Sequence, residues 1–118
     1  MIETDLFETG RKHFDSAEFF EAHEVWEDLW NETVGPRHHF IQCLIQVAVA
    51  LHHARNENWV GARKLLASCL VHMEKGRTES EPVDLEKLRD YVLEVELAIQ
   101  ELISGTERAL PFFSLPLK

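Results

Sequence analysis

His23 and Glu27 stand four residues apart in the stretch FFEAHEVWEDLW, Phe19 to Trp30, a spacing that makes their side chains neighbours on one face of a helix. An imidazole and a carboxylate held in this way can hydrogen-bond one another or converge on a single ion. A third use is acid/base chemistry without metal, in which Glu27, desolvated by Phe20 and Trp30, would be the candidate catalytic base. At about 100° per residue, Phe19, Ala22, Val25, Trp26, Leu29 and Trp30 fall on one arc, and Phe20 extends it on the far side of His23 and Glu27. The pair is therefore expected on the apolar side, flanked by aromatics, while Glu21, Glu24 and Asp28 form a solvated face.

The elements that must position this pair are helices. The chain has 118 residues, 45% hydrophobic and 28% charged, with only five glycines and four prolines, which leaves little room for a turn-rich β architecture. The expectation is one all-α domain over residues 1–118, a bundle of about five helices, with 106–118 an extended tail. A formal net charge of −9 repels a phosphate backbone, so nucleic acid is not expected as a partner. The apolar run Phe40 to Leu51 is too short to span a bilayer, and the acidic N-terminus MIETDLFE lacks the basic start of a signal peptide. These features predict a cytoplasmic protein without a membrane partner. Cys43 and Cys69 sit among aliphatic residues and read as buried free thiols; no serine or cysteine nucleophile is identifiable.

In chain order, a first helix is predicted over Asp5 to Phe14, and Ser16 is placed to cap a second that runs to about Trp30 or Glu32. Gly35 and Pro36 break the chain and open a third helix, to about Arg55, that is apolar around nearly its whole circumference and hence central. His39, Gln42, Gln46 and His53 share one heptad-like strip on it, a polar seam in need of a polar partner. Sequential helices joined by a short loop pack antiparallel, which nominates His23 and Glu27 as that partner. Asn58 caps a fourth helix, in which Gly61 offers a place for close helix contact, and Asp84 caps a last helix that stops at Gly105. The tail LPFFSLPL is too apolar to be frayed and is expected to lie in a groove of the bundle or of a neighbouring subunit, so a homo-oligomer is allowed. No internal repeat is evident.

The composite candidate site is then His23, Glu27 and His53 as ligands of a divalent metal, with Gln46 a supporting donor and Trp30 contributing an indole N–H that needs a partner if buried. Two nitrogens and a carboxylate suit zinc, iron, manganese or nickel. The alternative is a non-catalytic helical interaction module in which the same His/Glu/Gln cluster is a buried structural hydrogen-bond network. His38 and His39 read as surface or cap residues, and His52 and His72 belong to no constellation.

HEVWEDLW, LIQVAVALHH and NENWVGARKLL together resemble the bacterial and archaeal family catalogued as domain of unknown function 309, over roughly residues Leu6 to Leu70. The family's HxxxExxW motif falls on His23, Glu27 and Trp30, after a pattern like EAHE at Glu21 to Glu24, and its glutamine and histidine seven apart fall on Gln46 and His53. The glycine that commonly precedes the later asparagine is Glu57 here, a departure that bears on the backbone of that turn. The resemblance implies an all-helical bundle and a suggested metal site, with no established activity.

Overall fold

A computed structural model describes residues 2–118. Five α-helices run among the described residues: α1 Glu3–Asp15, α2 Phe19–Asn31, α3 Gly35–Arg55, α4 Trp59–Lys75 and α5 Leu85–Ile103, with a short 3-10 turn at Arg77–Glu79. Each helix packs on the next, so the chain zigzags into a stack of antiparallel helices with α3 at its centre. Eleven residues of α3 are buried, from Phe40 to Ala54, and they occupy all sides of it except a few polar positions. The expected all-α fold is the observed one.

Local chemistry sets most of the helix ends. Pro36 stands in the first turn of α3, where its missing N–H costs no intrahelical bond. The side chains of Asn58 and Asp84 accept hydrogen bonds from the Gly61 and Lys87 amides and so cap α4 and α5. α2 departs from expectation: Ser16 ends α1, and Glu18 occupies the cap position of α2 without a side-chain cap bond. The reason is a tight turn in which Ala17 takes φ +60°, the Glu18 amide donates to the His13 carbonyl at 2.8 Å and the Ala17 amide donates to that of Phe14 at 3.0 Å.

That turn recurs forty positions later. Glu57 also has φ +60°, the Asn58 amide donates to the His53 carbonyl at 2.8 Å and the Glu57 amide to that of Ala54 at 3.0 Å. The chain thus repeats one helical hairpin, α1–α2 and then α3–α4, although no repeat is evident in its letters. Glu57 holds the left-handed conformation that glycine would take without strain.

α2 is seated on α1 by Trp26, which is fully buried, donates its indole N–H to the Phe7 carbonyl at 3.3 Å and lies against the Gly10 backbone. Any Cβ at Gly10 would fall inside the indole. Gly61 has a different task from the one expected: the space above it holds the Asn58 side chain that caps α4. Cys43 and Cys69 are fully buried free thiols facing each other across α3 and α4, and contact with Cys69, then burial, holds the Cys43 thiol well above its ordinary pKa. That is the opposite of what a nucleophile needs.

The tail docks on its own bundle. Phe113 stacks on Tyr91 of α5 at 4.5 Å and meets Phe14 of α1 at 5.7 Å, and Leu115 donates its amide to the Asp15 carboxylate at 2.8 Å. Leu117 then pairs with Val83. Phe113 and Leu115 are buried and Leu110 half-buried, but Phe112, on the other side of this extended segment, is 60% exposed. No helix among the described residues is long and apolar enough to cross a membrane.

Candidate functional site

His23 and Glu27 are brought together by α2 alone. His23 Nδ1 donates to the Phe20 carbonyl at 2.9 Å, and His23 Nε2 lies 3.1 Å from Glu27 Oε1. The first bond fixes the ring: a carbonyl oxygen accepts only, so Nδ1 carries a proton and Nε2 is the nitrogen turned toward the carboxylate. Two acceptors, a neutral Nε2 and an ionised carboxylate, do not bind one another. The contact therefore requires a proton on one of the two groups or an ion shared by both.

The pair sits at the rim of the apolar arc instead of within it. The His23 side chain is 17% exposed and that of Glu27 55%, so the desolvation expected from Phe20 and Trp30 is not realised at Glu27. Phe20 is itself 47% exposed and lies between two imidazoles, His23 at 5.1 Å and His52 of α3 at 5.6 Å. Glu27 borders an open pocket of about 390 Å³ between α2 and α3, lined also by Trp30, Asn31, Gln42 and Ile45. Trp30 is anchored at the pocket's far end, where its ring packs on His38 at 4.1 Å and His38 Nδ1 donates to the Trp30 carbonyl at 3.1 Å. Its indole N–H is buried and has no hydrogen-bond partner among the described residues.

The remaining members of the expected site face elsewhere. Gln46 donates its amide to Ser68 Oγ of α4 at 2.9 Å, and His53 Nδ1 accepts from the Asn58 side-chain amide at 3.3 Å. His39, in the same strip, meets His72 of α4. The polar seam of α3 exists, but its partner is α4 and not the His23–Glu27 pair. His53 is a hairpin-turn residue: forty positions earlier His13 Nδ1 lies 3.0 Å from Glu18 Oε1 in the equivalent place. Among the described residues no group of three or more His, Cys, Asp or Glu side chains is arranged to hold a metal ion, so His23, Glu27 and His53 do not form a ready three-ligand set. The residues of α3 that do border the pair's surroundings are Gln42, Ile45 and His52. Gln42 thus lies off the seam that its heptad-like spacing predicts, and His52 has neighbours that no sequence motif assigns to it; the i, i+3, i+10 spacing of Gln42, Ile45 and His52 is the signal for a second face on α3.

This is a stack of helical hairpins carrying an HxxxExxW pair beside a surface pocket, and the chain belongs to the family described as Domain of unknown function (DUF309), which matches residues 7–65. It is similar to the Uncharacterized protein YpuF of Bacillus subtilis (strain 168), with 32% identity over 102 residues, 86% of this chain. The chain spans 57% of the length of that curated relative. No solved structure matches it.

Proposed function

We propose that the protein binds a divalent cation at His23 Nε2 and Glu27, with the neighbouring pocket open to whatever completes the coordination. The observation that carries this reading is the orientation of His23. Its Nδ1–H is spent on the Phe20 carbonyl, the arrangement that commonly fixes a metal-binding imidazole, and its free nitrogen faces a half-exposed carboxylate 3.1 Å away. Imidazole nitrogen with carboxylate oxygen suits zinc, manganese, nickel or ferrous iron. Nothing supports His53 as a third ligand, and Glu27 is assigned no catalytic step.

A second reading is favoured by the lack of a third protein ligand among the described residues. In it the protein is a non-catalytic helical interaction module, and His23 is an imidazolium that donates to both Phe20 and Glu27. Melting of tag-free protein separates the two. A cation that binds only the folded state stabilises it by about 2.7 kcal/mol at a hundredfold excess over Kd. The expected result is a melting temperature that rises with zinc, manganese, nickel or ferrous iron and returns on chelation, with the increment lost in His23→Ala and in Glu27→Gln. A wild-type protein indifferent to all four ions near neutral pH, where His23 can act as a neutral ligand, would leave the interaction module.

A further inference from the structure

His39 and His72 stand apart from the site described above, at the end of the α3–α4 hairpin remote from its turn. Their Nδ1 atoms are 3.0 Å apart. The ring planes differ by only 23° and the ring centres are 5.2 Å apart, nearly the Nδ1–Nδ1 separation plus the two distances from ring centre to nitrogen. The two nitrogens therefore point at each other along the ring planes, edge to edge. Such an arrangement has room for one proton, carried on one Nδ1 and accepted by the other. The nitrogens aim at each other and not at a common third point, which is the geometry of a proton between them and not of two ligands converging on a metal ion.

We propose that His39 and His72 form a proton-sharing clasp that holds the C-terminal end of α4 to the start of α3 at neutral pH and releases it on acidification. Both rings cannot carry an Nδ1 proton while they face each other at this distance, so doubly protonating the pair breaks the bond and sets two cations side by side. The charged groups acting on His72 deepen the effect: His39 and His38 from α3 and Lys75 from α4 itself are all cationic when charged, and no carboxylate from α5 or the 3-10 turn is among them. Burial first, then His39, Lys75 and His38, lower the His72 pKa. A histidine shifted in this direction binds fewer protons folded than unfolded. Its contribution to stability is complete above its ordinary pKa of about 6.5 and is lost progressively as the pH falls below that value.

The consequence is local to one end of the hairpin. Next to the clasp, Gly76 packs directly on the backbone of Phe40, close enough that a Cβ there would overlap the Phe40 amide. The following segment is held by Arg37, whose guanidinium donates to the carbonyls of Glu79 and Glu81 at 2.8 and 2.7 Å. Loss of the clasp loosens the last turn of α4 and this segment before it disturbs the turn at Glu57.

Amide hydrogen exchange resolved along α4, corrected for the intrinsic pH dependence, tests the proposal in wild type and in His72→Gln, a side chain that can bond His39 but does not titrate. Between about pH 7 and about pH 5, the range in which histidines charge, protection of the last two turns of α4 should fall several-fold in wild type and stay level in the variant. His13, His23, His38, His52 and His53 are common to both proteins, so their titration cancels. Equal slopes would overturn the clasp. Should His72→Gln not fold, nitrogen-15 correlation spectra of wild type at neutral pH decide alone: one Nδ1 protonated and its partner bare supports the clasp, and both Nδ1 atoms bare overturns it.

Discussion

Gly10→Ala is the substitution for which the packing of α1 on α2 makes the sharpest prediction, because general helix preference and this particular contact have opposite signs. Alanine is favoured over glycine by about 1 kcal/mol in a helix interior. Here the new methyl would lie 2.2 Å from Trp26 Nε1, 2.5 Å from Cδ1 and 2.6 Å from Cε2. The indole is fully buried, with Phe14 5.8 Å away centre to centre and Phe7 accepting its N–H, so it has no free direction in which to yield. Overpacking a core of this kind costs about 1–3 kcal/mol. Pulling the indole N–H off the Phe7 carbonyl strands a buried donor for a further 1–3 kcal/mol or so. After the alanine preference is subtracted, a net loss of roughly 3 kcal/mol remains, which for a chain of this size lowers the melting temperature by roughly 10 °C. Urea and thermal melts of the two proteins measure it. A Gly10→Ala protein as stable as wild type would mean that Trp26 does not rest on Gly10 and that the seat of α2 is wrongly understood. Because His23 and Glu27 share one helix, their own contact should survive the substitution, whereas the pocket shared with α3 should not keep its shape.

Two further outcomes follow from the repeated hairpin turn. Glu57→Gly relieves a left-handed residue of about 1–2 kcal/mol of strain and gives part of it back as unfolded-chain entropy, for a net gain of roughly 0.5–1 kcal/mol in a urea melt, with Glu57→Ala near neutral. His13→Ala and His53→Ala each remove one partly exposed turn contact and should each cost about 0.5–1.5 kcal/mol, and neither should change the melting increment given by a divalent ion. An increment lost in His53→Ala but kept in His13→Ala would restore His53 as a ligand.

What could be read from the sequence was whatever a few neighbouring residues decide among themselves. Asn58 and Asp84 cap because an Asn or Asp side chain reaches the third following amide whatever lies around it, and Pro36 opens α3 for an equally local reason. The His23–Glu27 contact is of the same kind, made within one turn of one helix. The composite site needed more: it required knowing which neighbour each strip of α3 faces. A helix apolar on nearly all sides gives no such direction, since both α2 and α4 have apolar stripes to offer it. The strip His39, Gln46, His53 finds its polar partners in His72, Ser68 and Asn58, and those three are spaced along α4 in the reverse order that an antiparallel neighbour demands. Ser16 does not cap α2 for a different reason, because the left-handed Ala17 moves the cap position two residues beyond it, to Glu18.

The repeat also separates scaffold from chemistry. Forty positions after His13, Ala17, Phe19 and Ala22 stand His53, Glu57, Trp59 and Ala62: the first two pairs build the same turn, the third pair opens the next helix, and both alanines are buried, so these residues are explained by building a hairpin. The counterparts of His23, Glu27 and Trp30 are Arg63, Ala67 and Leu70, which carry neither the imidazole nor the carboxylate nor the indole. A purely structural role for the pair would have to be one that the second hairpin does without. His23 and Glu27 instead lie on the rim, where an ion pair is worth little to stability and where solvent and a ligand both have access. Stability alone gives little reason for an aromatic-flanked imidazole oriented by a backbone carbonyl at that place, and binding gives a direct one.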